Sequence, residues 1–324
     1  MSARRGRELP REVAISKAMS NLLRHSAEKE KVKISPEGYV NVADLLAWRK
    51  LKSLKVTFPE ILDAVANSDK KRFSLLYVPP ADQQQQQQQQ QEKAAQTASS
   101  EEKQENATAH ALSVKDTDPS HFLIRATQGH SMKSVDTTLF LEKLTLKDDP
   151  PLSQPLPDTV VHGTYHGAWP LILASGGLKS MGRTQVHFAT GPSLDEVLPN
   201  GRQGRPTQQQ KQTVISGMRS DAQILIYIDL KKALAAGCPF YRSENGVILS
   251  EGIDVTRGAG GDDEESAETK EKVVPLEFFD VVVERKVGLG ILWENGRVVQ
   301  ELPAELAGKK NPKMRGEAKG KRNK

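Results

Sequence analysis

Two neighbouring stretches decide the fold of the N-terminal part of the chain, EVAISKAMSNLLRHSAEK (12–29) and KISPEGYVNV (33–42). In the first stretch Ile15, Met19 and Leu22 recur at the three- and four-residue spacing of an amphipathic helix. The second stretch is a Pro-Glu-Gly turn followed by apolar residues that are typical of a short strand. A helix followed by a short β element indicates a small, α-rich domain.

Two further helices and a strand complete this domain. Asn41 suits the capped start of a helix over VADLLAWRK (42–50). A third helix is predicted to begin at Thr57, because a proline lies in its first turn and Glu60 stands three residues after the cap. It stops before the strand-like FSLLYV (73–78). This order predicts a domain of the winged-helix type.

Composition sets the boundaries of the N-terminal domain. We assign residues 1–10 to a disordered N-terminus and 11–80 to the winged-helix-like domain. Residues 81–120 begin with a run of nine glutamines and carry almost no large apolar residue. Such a segment buries too little surface to offset the entropy lost on ordering. We therefore predict a disordered linker, with a helical glutamine-rich spacer as the alternative.

The second half, residues 121–286, is mostly β. Short runs rich in Val and Ile predict its strands, and two helical stretches, AWPLILAS and DLKKALAA, lie between them. The predicted strands are FLIRAT, TVVHGTY, VHFAT, QILIYIDL, GVILSE and FFDVVVERK. Two polar insertions, 199–212 and 258–272, are expected to be surface loops, and 287–324 forms an extension with a basic disordered tail. The fold class is therefore α+β.

The distribution of charge and the absence of long apolar runs limit which partners the chain is expected to bind and in which compartment. The net charge is +5, but residues 309–324 hold eight Lys and Arg against one Glu, which leaves 38 basic and 40 acidic residues elsewhere. Any RNA contact of the folded body must therefore come from local arginines, while the tail adds attraction that is blind to sequence. No apolar run is long enough for a transmembrane helix, and the lone cysteine, Cys238, fits a reducing compartment. We expect the nucleus, the cytoplasm or both.

Four groups of residues have side chains suited to phosphate chemistry. Arg24 and His25 end the first helix; Arg125 lies in IRATQGHS with His130 and Ser131; VHGTYHG holds His162, Gly163 and Thr164; and GRTQVHFA holds Arg183. A guanidinium presents a planar fork that matches two oxygens of a phosphate. Each group alone has an ordinary reading, such as a solvated helix arginine or a buried ion pair. The hypothesis of a phosphate site rests on their order and company.

In that order the motifs resemble the tRNA 2′-phosphotransferase family. SKAMSNLLRHSAEKE with GYVNVADLL and DKKRFSLL is similar to the family's N-terminal lobe. IRATQGHS, HGT, GRTQVH, SGMRSDAQILIYID and ENGVIL follow in the family's sequence order. The resemblance covers roughly residues 13–78 and 121–286, and it leaves out the linker, the two insertions and the tail.

The resemblance implies both a fold and a reaction. The fold is an N-terminal winged-helix-like lobe plus a C-terminal lobe, mostly β, that resembles ADP-ribosyltransferases. In the reaction the 2′-phosphate of a spliced tRNA attacks the anomeric carbon of the nicotinamide ribose of NAD and expels nicotinamide. The ribose 2″-hydroxyl then attacks phosphorus, which gives 2′-hydroxyl RNA and ADP-ribose 1″,2″-cyclic phosphate.

The resemblance also assigns roles to residues. The family's catalytic set falls on Arg24, His25, Arg125 and Arg183, and its NAD contacts fall on His162, Gly163 and Thr164, with Ser131 and His130 beside them. Arg24 and Arg125 would clamp the phosphate, His25 would donate hydrogen bonds or assist proton transfer, and Arg183 would stabilise charge in the second step.

Two further residues, Arg219 and Gln185, each have two possible roles. Arg219 is predicted either to meet a phosphate or to brace a loop. The family often has a histidine where this chain has Gln185, and a glutamine hydrogen-bonds without carrying a proton charge. If this position contributes to NAD binding, the affinity for the dinucleotide would fall.

Two other functions stay open at this point. One is an ADP-ribosyltransferase that leaves ADP-ribose on a protein or a nucleic-acid end, for which Glu244 and Glu251 fit no evident pattern as an acceptor-activating glutamate. The other is a non-catalytic RNA-binding protein. No metal is implied, because cationic side chains supply the charge stabilisation that a magnesium ion would otherwise give. We expect a monomer that binds 2′-phosphorylated RNA and NAD and no membrane.

Overall fold

The computed structural model describes residues 9–80, 100–147, 152–198, 217–219, 221–257 and 269–308. The chain divides into two compact units. Unit 1 comprises residues 1–142 together with Ser243–Asn245, and unit 2 comprises residues 143–242 and 246–324. The glutamine run, insertion 199–212 and the basic tail from residue 309 lie outside the described residues, so the predictions made for them stay predictions.

Unit 1 begins with helices and closes with a small sheet. Helix α1 is followed by one π-helical turn at Leu22–Ser26, and the sheet is antiparallel in the order β1-β3-β2. The elements are α1 (Arg11–Asn21), β1 (Val40–Asn41), α2 (Val42–Ala47), α3 (Arg49–Ser53), α4 (Phe58–Ala66), β2 (Phe73–Tyr77), α5 (Ser100–Ser113) and β3 (Phe122–Ala126).

Local capping fixes two of these helices, as the sequence predicted. The Asn41 side chain accepts a hydrogen bond from the Ala43 amide at 2.9 Å and caps α2. At the start of α4 the Thr57 amide donates to Glu60 at 2.9 Å. A hydrogen bond from Arg11 and the Thr57 amide lower the pKa of the Glu60 carboxyl to about 2. Both predicted helix starts are confirmed.

Strand β3 belongs to unit 1, which corrects the predicted position of the domain boundary at residue 121. Arg125 of β3 faces Ser74 of β2, and Ile124 pairs with Val40 of β1. Strand β3 pairs with β2 on one side and with β1 on the other, so it is the central strand of the small sheet. Such long-range pairing leaves no local signal in the sequence. The unit extends to Glu142.

The predicted linker is also shorter than expected. Helix α5 lies inside it and packs on β2, where Thr108 Oγ1 accepts a hydrogen bond from the Leu75 amide at 3.1 Å. Ala111 is fully buried, and the Tyr77 hydroxyl donates to Asp116 at 3.0 Å. The end of the predicted linker is therefore ordered, because it covers the sheet of unit 1.

Unit 2 is built from three antiparallel groups of strands. The chain enters it at β4 (Glu142–Lys143). The strand orders of the three sheets are β4-β9-β10-β7, β11-β12-β6 and β15-β14-β13-β8-β5. The further strands are β5 (Val161–Thr164), β6 (Gly177–Leu178), β7 (Val186–Phe188), β8 (Ile224–Ile228), β9 (Phe240–Arg242), β10 (Ile248–Ser250), β11 (Ile253–Arg257), β12 (Thr269–Pro275), β13 (Phe279–Glu284), β14 (Gly290–Glu294) and β15 (Arg297–Val298). All six predicted strands of the second half are confirmed.

Short helices pack on these sheets. They are α6 (Trp169–Ala174), α7 (Leu194–Val197), α8 (Leu230–Ala235) and α9 (Ala304–Ala307). Apolar side chains of β8 and β13 form the core, with Ile226 and Val282 on one face and Leu225 and Val283 on the other. A strand buried on both faces reads as a continuous apolar run, as in ILIYI. The predicted helices α6 and α8 are confirmed.

Parts of the insertion 258–272 and of the extension 287–324 enter the sheets. Residues 269–272 of the insertion 258–272 begin β12, and Val255 pairs with Glu271. In the extension 287–324, residues 290–298 form the hairpin β14–β15 beside β13. The polar residues that begin β12 explain why the sequence pattern did not reveal its start, whereas Ile291, Leu292 and Trp293 of β14 form an apolar strand signal that the prediction passed over. In the described part of the chain, no helix has the length and apolar character needed to cross a membrane.

Candidate functional site

A π-helical turn in unit 1 carries Arg24 and His25. The Ala27 amide donates to the Leu22 carbonyl at 3.0 Å, five residues back, which marks the wider turn. Leu22 and Leu23 are fully buried and anchor the turn to the core, whereas Arg24 and His25 are half-buried. A π-helical turn re-aims its side chains relative to a regular helix, and such turns are frequent at functional sites.

Ser131 holds this turn in place. Its amide donates to the Arg24 carbonyl at 2.9 Å, and its hydroxyl oxygen lies in hydrogen-bond contact with His25 Nδ1, also at 2.9 Å. The family resemblance implies that Ser131 and His130 lie beside the NAD contacts, and in the structure both lie near Arg24 and His25 of unit 1. Their sequence separation of more than 100 residues explains why the pairing was missed.

Arg125 is buried between two aromatic rings. Its guanidinium carbon lies 4.3 Å from the centre of the Phe140 ring and 4.9 Å from that of Tyr39. Arg125 Nη2 is 3.6 Å from Glu244 Oε2, and the two side chains are 2% and 8% exposed. Stacking on aromatic faces and a buried ion pair fix the planar fork in one orientation. No sequence motif indicates that Tyr39, Phe140 and Glu244 contact Arg125.

His130 lies beneath these cations. It is 1% exposed, and its ring meets the Phe140 ring edge-on at 5.6 Å. Burial, with repulsion from Arg24, Arg125 and His25, lowers the pKa of His130 to about 3. The imidazole is therefore neutral near pH 7, so His130 adds no positive charge beside Arg24 and Arg125.

The low pKa of His130 predicts a pH-dependent stability. In the unfolded chain the histidine takes up a proton below about pH 6.5, whereas the folded chain resists protonation down to about pH 3. The free energy of unfolding should therefore fall as the pH drops from about 6.5 towards 3, by at most about 1.4 kcal/mol per pH unit from this group. Urea unfolding at several pH values measures the slope.

A matched pair of variants isolates this contribution. His130→Gln should lose part of the slope between about pH 6.5 and 4, because the titrating group is gone. His110→Gln removes an exposed histidine of the same unit and serves as the control. Equal slopes for the wild type and His130→Gln would contradict the prediction.

A second group of candidate site residues lies in unit 2, and it includes His162. Its Nδ1 is 2.9 Å from the His187 carbonyl oxygen, so Nδ1 carries the hydrogen and donates. Burial lowers the pKa of His162, despite this hydrogen bond, and repulsion from Arg219 and Arg183 adds to the effect. In its neutral form the ring leaves Nε2 as an acceptor, which suits a hydroxyl donor of a ligand.

The two residues that follow His162 serve the packing of β5. A Cβ on Gly163 would lie 2.5 Å from Met218 Cγ, so glycine is required where that side chain crosses the strand. Thr164 is 7% exposed, and its carbonyl accepts from the Gln223 amide at 2.8 Å. Among these three residues, His162 has the side chain whose chemistry suits a ligand best.

Arg183 and Arg219 lie close enough to affect each other. Arg183 is exposed, and partial desolvation together with the charge of Arg219 lowers its pKa. Arg219 lies over the Tyr165 ring at 5.6 Å and donates to the Tyr165 hydroxyl at 3.0 Å, while that hydroxyl donates to Asp221. Two guanidiniums held together repel each other, and an anion between them would relieve that repulsion.

Gln185 is buried beside this group. It is 2% exposed, and its backbone carbonyl accepts a hydrogen bond from His187 Nδ1 at 3.0 Å. Its side-chain Nε2 has no hydrogen-bond partner within the described ranges. A buried donor without a partner costs free energy, so this amide group can gain from a ligand acceptor.

Comparison with known proteins gives one consistent result. A family model described as RNA 2′-phosphotransferase, Tpt1 / KptA family, matches residues 10–252. The tRNA 2′-phosphotransferase 1 of Danio rerio is 34% identical over 253 residues, which cover 77% of this chain and 84% of that protein. The human protein of that name is 33% identical over 252 residues, covering 77% and 73%. The tRNA 2′-phosphotransferase of Saccharomyces cerevisiae is 30% identical over 246 residues, covering 76% and 81%.

Proposed function

Since the chain belongs to the RNA 2′-phosphotransferase family and is an enzyme of that kind, we propose that it transfers the 2′-phosphate of spliced tRNA to NAD. The observation that carries this proposal is the fixed cationic group of unit 1. Arg24 and His25 are held by Ser131, and Arg125 is locked between two rings. Preorganised donors stabilise charge without reorganising during the reaction.

The order of elements supports a winged-helix identity for unit 1. Helix α1, strand β1, helices α2 to α4 and strands β2 and β3 follow one another, and the three strands form one antiparallel sheet. On this basis residues 11–80 combine with β3 in one RNA-binding lobe. Unit 2, with its antiparallel sheets and short helices, is the lobe that resembles ADP-ribosyltransferases.

Each residue of the candidate site in unit 1 has a proposed role. Arg24 and Arg125 bind oxygens of the 2′-phosphate and align it for attack, and Glu244 holds the Arg125 fork in its plane. His25 donates to a phosphate oxygen or moves a proton near neutral pH. Ser131 positions His25 through the contact at Nδ1. Tyr39 and Phe140 keep water from the faces of the Arg125 guanidinium.

The hydrogen-bonding and charged side chains of the candidate site in unit 2 fit a dinucleotide. His162 Nε2 offers an acceptor to a ribose hydroxyl, and Arg183 with Arg219 offers charge to a pyrophosphate or to the transferring phosphate. Gln185 Nε2 offers a buried donor. Gly163 and Thr164 contribute through the backbone of β5. NAD supplies the electrophilic anomeric carbon and the 2″-hydroxyl that finally takes the phosphorus. Arg183 stabilises the charge that builds on phosphorus in that second step.

Neither Glu244 nor Glu251 supports the alternative of an ADP-ribosyltransferase that uses a glutamate to activate a protein acceptor. Glu244 pairs with Arg125, and Glu251 Oε2 lies 2.9 Å from Lys272 Nζ. Glu244 and Glu251, which fit no sequence pattern for this role, therefore both have ion-pair partners.

A direct incubation tests the proposed function. The purified chain is mixed with an RNA that carries one internal 2′-phosphate, with and without NAD. We expect loss of the phosphate only with NAD, together with one nicotinamide released per RNA. The same RNA with a phosphate only at its 3′ end serves as the control and should stay unchanged. Phosphate loss without NAD would contradict the proposed acceptor, and no loss with saturating NAD would contradict the reaction.

A further inference from the structure

The turn before Arg183 has a strained backbone. The Arg183 amide donates to the Ser180 carbonyl at 3.3 Å, which closes a four-residue turn with Met181 and Gly182 at its inner positions. Met181 has a φ of 57°, in the left-handed region that side chains other than glycine rarely adopt. Such strain persists where it serves a function or where packing enforces it.

The glycine beside Met181 does not use its conformational freedom. Gly182 has no left-handed φ, and a Cβ added to it would meet nothing within 4 Å. A turn with a positive φ at its first inner position favours glycine there. The order Gly-Met would therefore fit this backbone with less strain than the order Met-Gly, so turn formation does not explain the methionine.

Packing does not explain it either. Met181 is 86% exposed, the highest value among the exposed large apolar side chains of the described residues. A long apolar side chain that is both strained and exposed gains nothing from the folded chain itself. Its position two residues before Arg183 places it next to the group to which we assign the transferring phosphate.

We propose that Met181 is an RNA-binding residue that packs on a nucleobase adjoining the 2′-phosphate of the RNA. The flexible, polarisable thioether contacts aromatic faces favourably, and stacking on a base tolerates any sequence because every base has a flat face. The inference rests on the proposed function, since it assigns the RNA contact of that same site. Met181 is far more exposed than Thr164 and the other NAD contacts proposed on β5, which favours the RNA over the nicotinamide ring.

Three variants test the contact while controlling for folding. Met181→Gly should keep or raise the unfolding midpoint, because glycine accepts the positive φ. It should raise the KM for 2′-phosphorylated RNA about tenfold, as expected for a lost base contact, and leave the KM for NAD unchanged. Met181→Leu keeps an apolar side chain and should hold most of the RNA affinity. Gly182→Ala is the matched control and should behave as the wild type.

The RNA is varied in the same experiment. Abasic residues at the phosphorylated nucleotide and its 3′ neighbour should raise the KM of the wild type, and Met181→Gly should add no further rise with that substrate. A KM for RNA that Met181→Gly leaves unchanged, a rise that adds to the abasic effect, or a change in the KM for NAD instead would each overturn the inference. These outcomes require an active wild type, so a wild type that leaves the phosphate in place would overturn the proposed function itself.

Discussion

A variant that combines Arg125→Met with Glu244→Gln is expected to fold and to lose about 10³-fold in kcat/KM for 2′-phosphorylated RNA. Arg125 is fixed by Phe140, Tyr39 and Glu244, so its fork keeps one orientation and does not have to reorganise during the reaction. Removing one preorganised donor of this kind costs about 10²–10³-fold in rate, and a bidentate guanidinium stands at the upper end. Single-turnover kinetics at saturating NAD measure the loss.

The double variant is needed because Arg125 also stabilises the fold. Arg125→Met alone leaves the Glu244 carboxylate buried without its cation, which costs about 3–5 kcal/mol and would confuse lost folding with lost chemistry. With Glu244→Gln the buried charge is gone, so circular dichroism should show a native fold. Glu244→Gln alone is the matched control: it keeps the Arg125 guanidinium but removes the carboxylate that holds it, so it should be less stable than the wild type and yet lose far less activity than the double variant. A folded double variant with kcat/KM near the wild type would contradict the role of Arg125.

Arg183→Met is expected to stop the reaction at its midpoint. If Arg183 stabilises the charge that builds on phosphorus in the second step, its loss should slow that step by about 10²–10³-fold and leave the first step nearly intact. RNA joined to ADP-ribose through the 2′-phosphate should then accumulate. Rapid quenching and gel separation of end-labelled RNA measure this species, which migrates more slowly than the substrate.

Exposure makes this variant informative. Arg183 is exposed, so its replacement should leave the unfolding midpoint unchanged. Arg297→Met replaces an exposed arginine of β15, outside the residues that match the family model, and provides the control for a change of net charge. Accumulation in both variants would indicate a general charge effect. Unreacted substrate alone in Arg183→Met would place this arginine in the first step instead.

Local rules predicted the elements whose signals lie within a few residues. The capping residues Asn41 and Thr57 set the starts of α2 and α4, and the apolar run of β8 marked a strand buried on both faces. The same kind of reading placed the strand that ends in Arg125 and the one that holds His162. Family membership also came from ordered short motifs, which the family model matches over residues 10–252.

The features that the sequence did not reveal depend on contacts between residues far apart in the chain. Strand β3 joins β1 and β2 of unit 1 although the glutamine run separates it from them, and helix α5 gains its place from contacts with β2. Within the site, Ser131 reaches His25 and Glu244 reaches Arg125 across more than 100 residues each. Side-chain contacts of this kind depend on the completed fold, so no spacing rule finds them.

The fate of a labelled phosphate tests the central claim most directly. An RNA with ³²P at one internal 2′-phosphate is incubated with the purified chain and NAD, and the products are separated by chromatography. We predict that all of the label leaves the RNA as ADP-ribose 1″,2″-cyclic phosphate, in equal amount to the 2′-hydroxyl RNA. Label that appears as inorganic phosphate, or that stays on the RNA beneath a retained ADP-ribose, would contradict transfer of the 2′-phosphate to NAD.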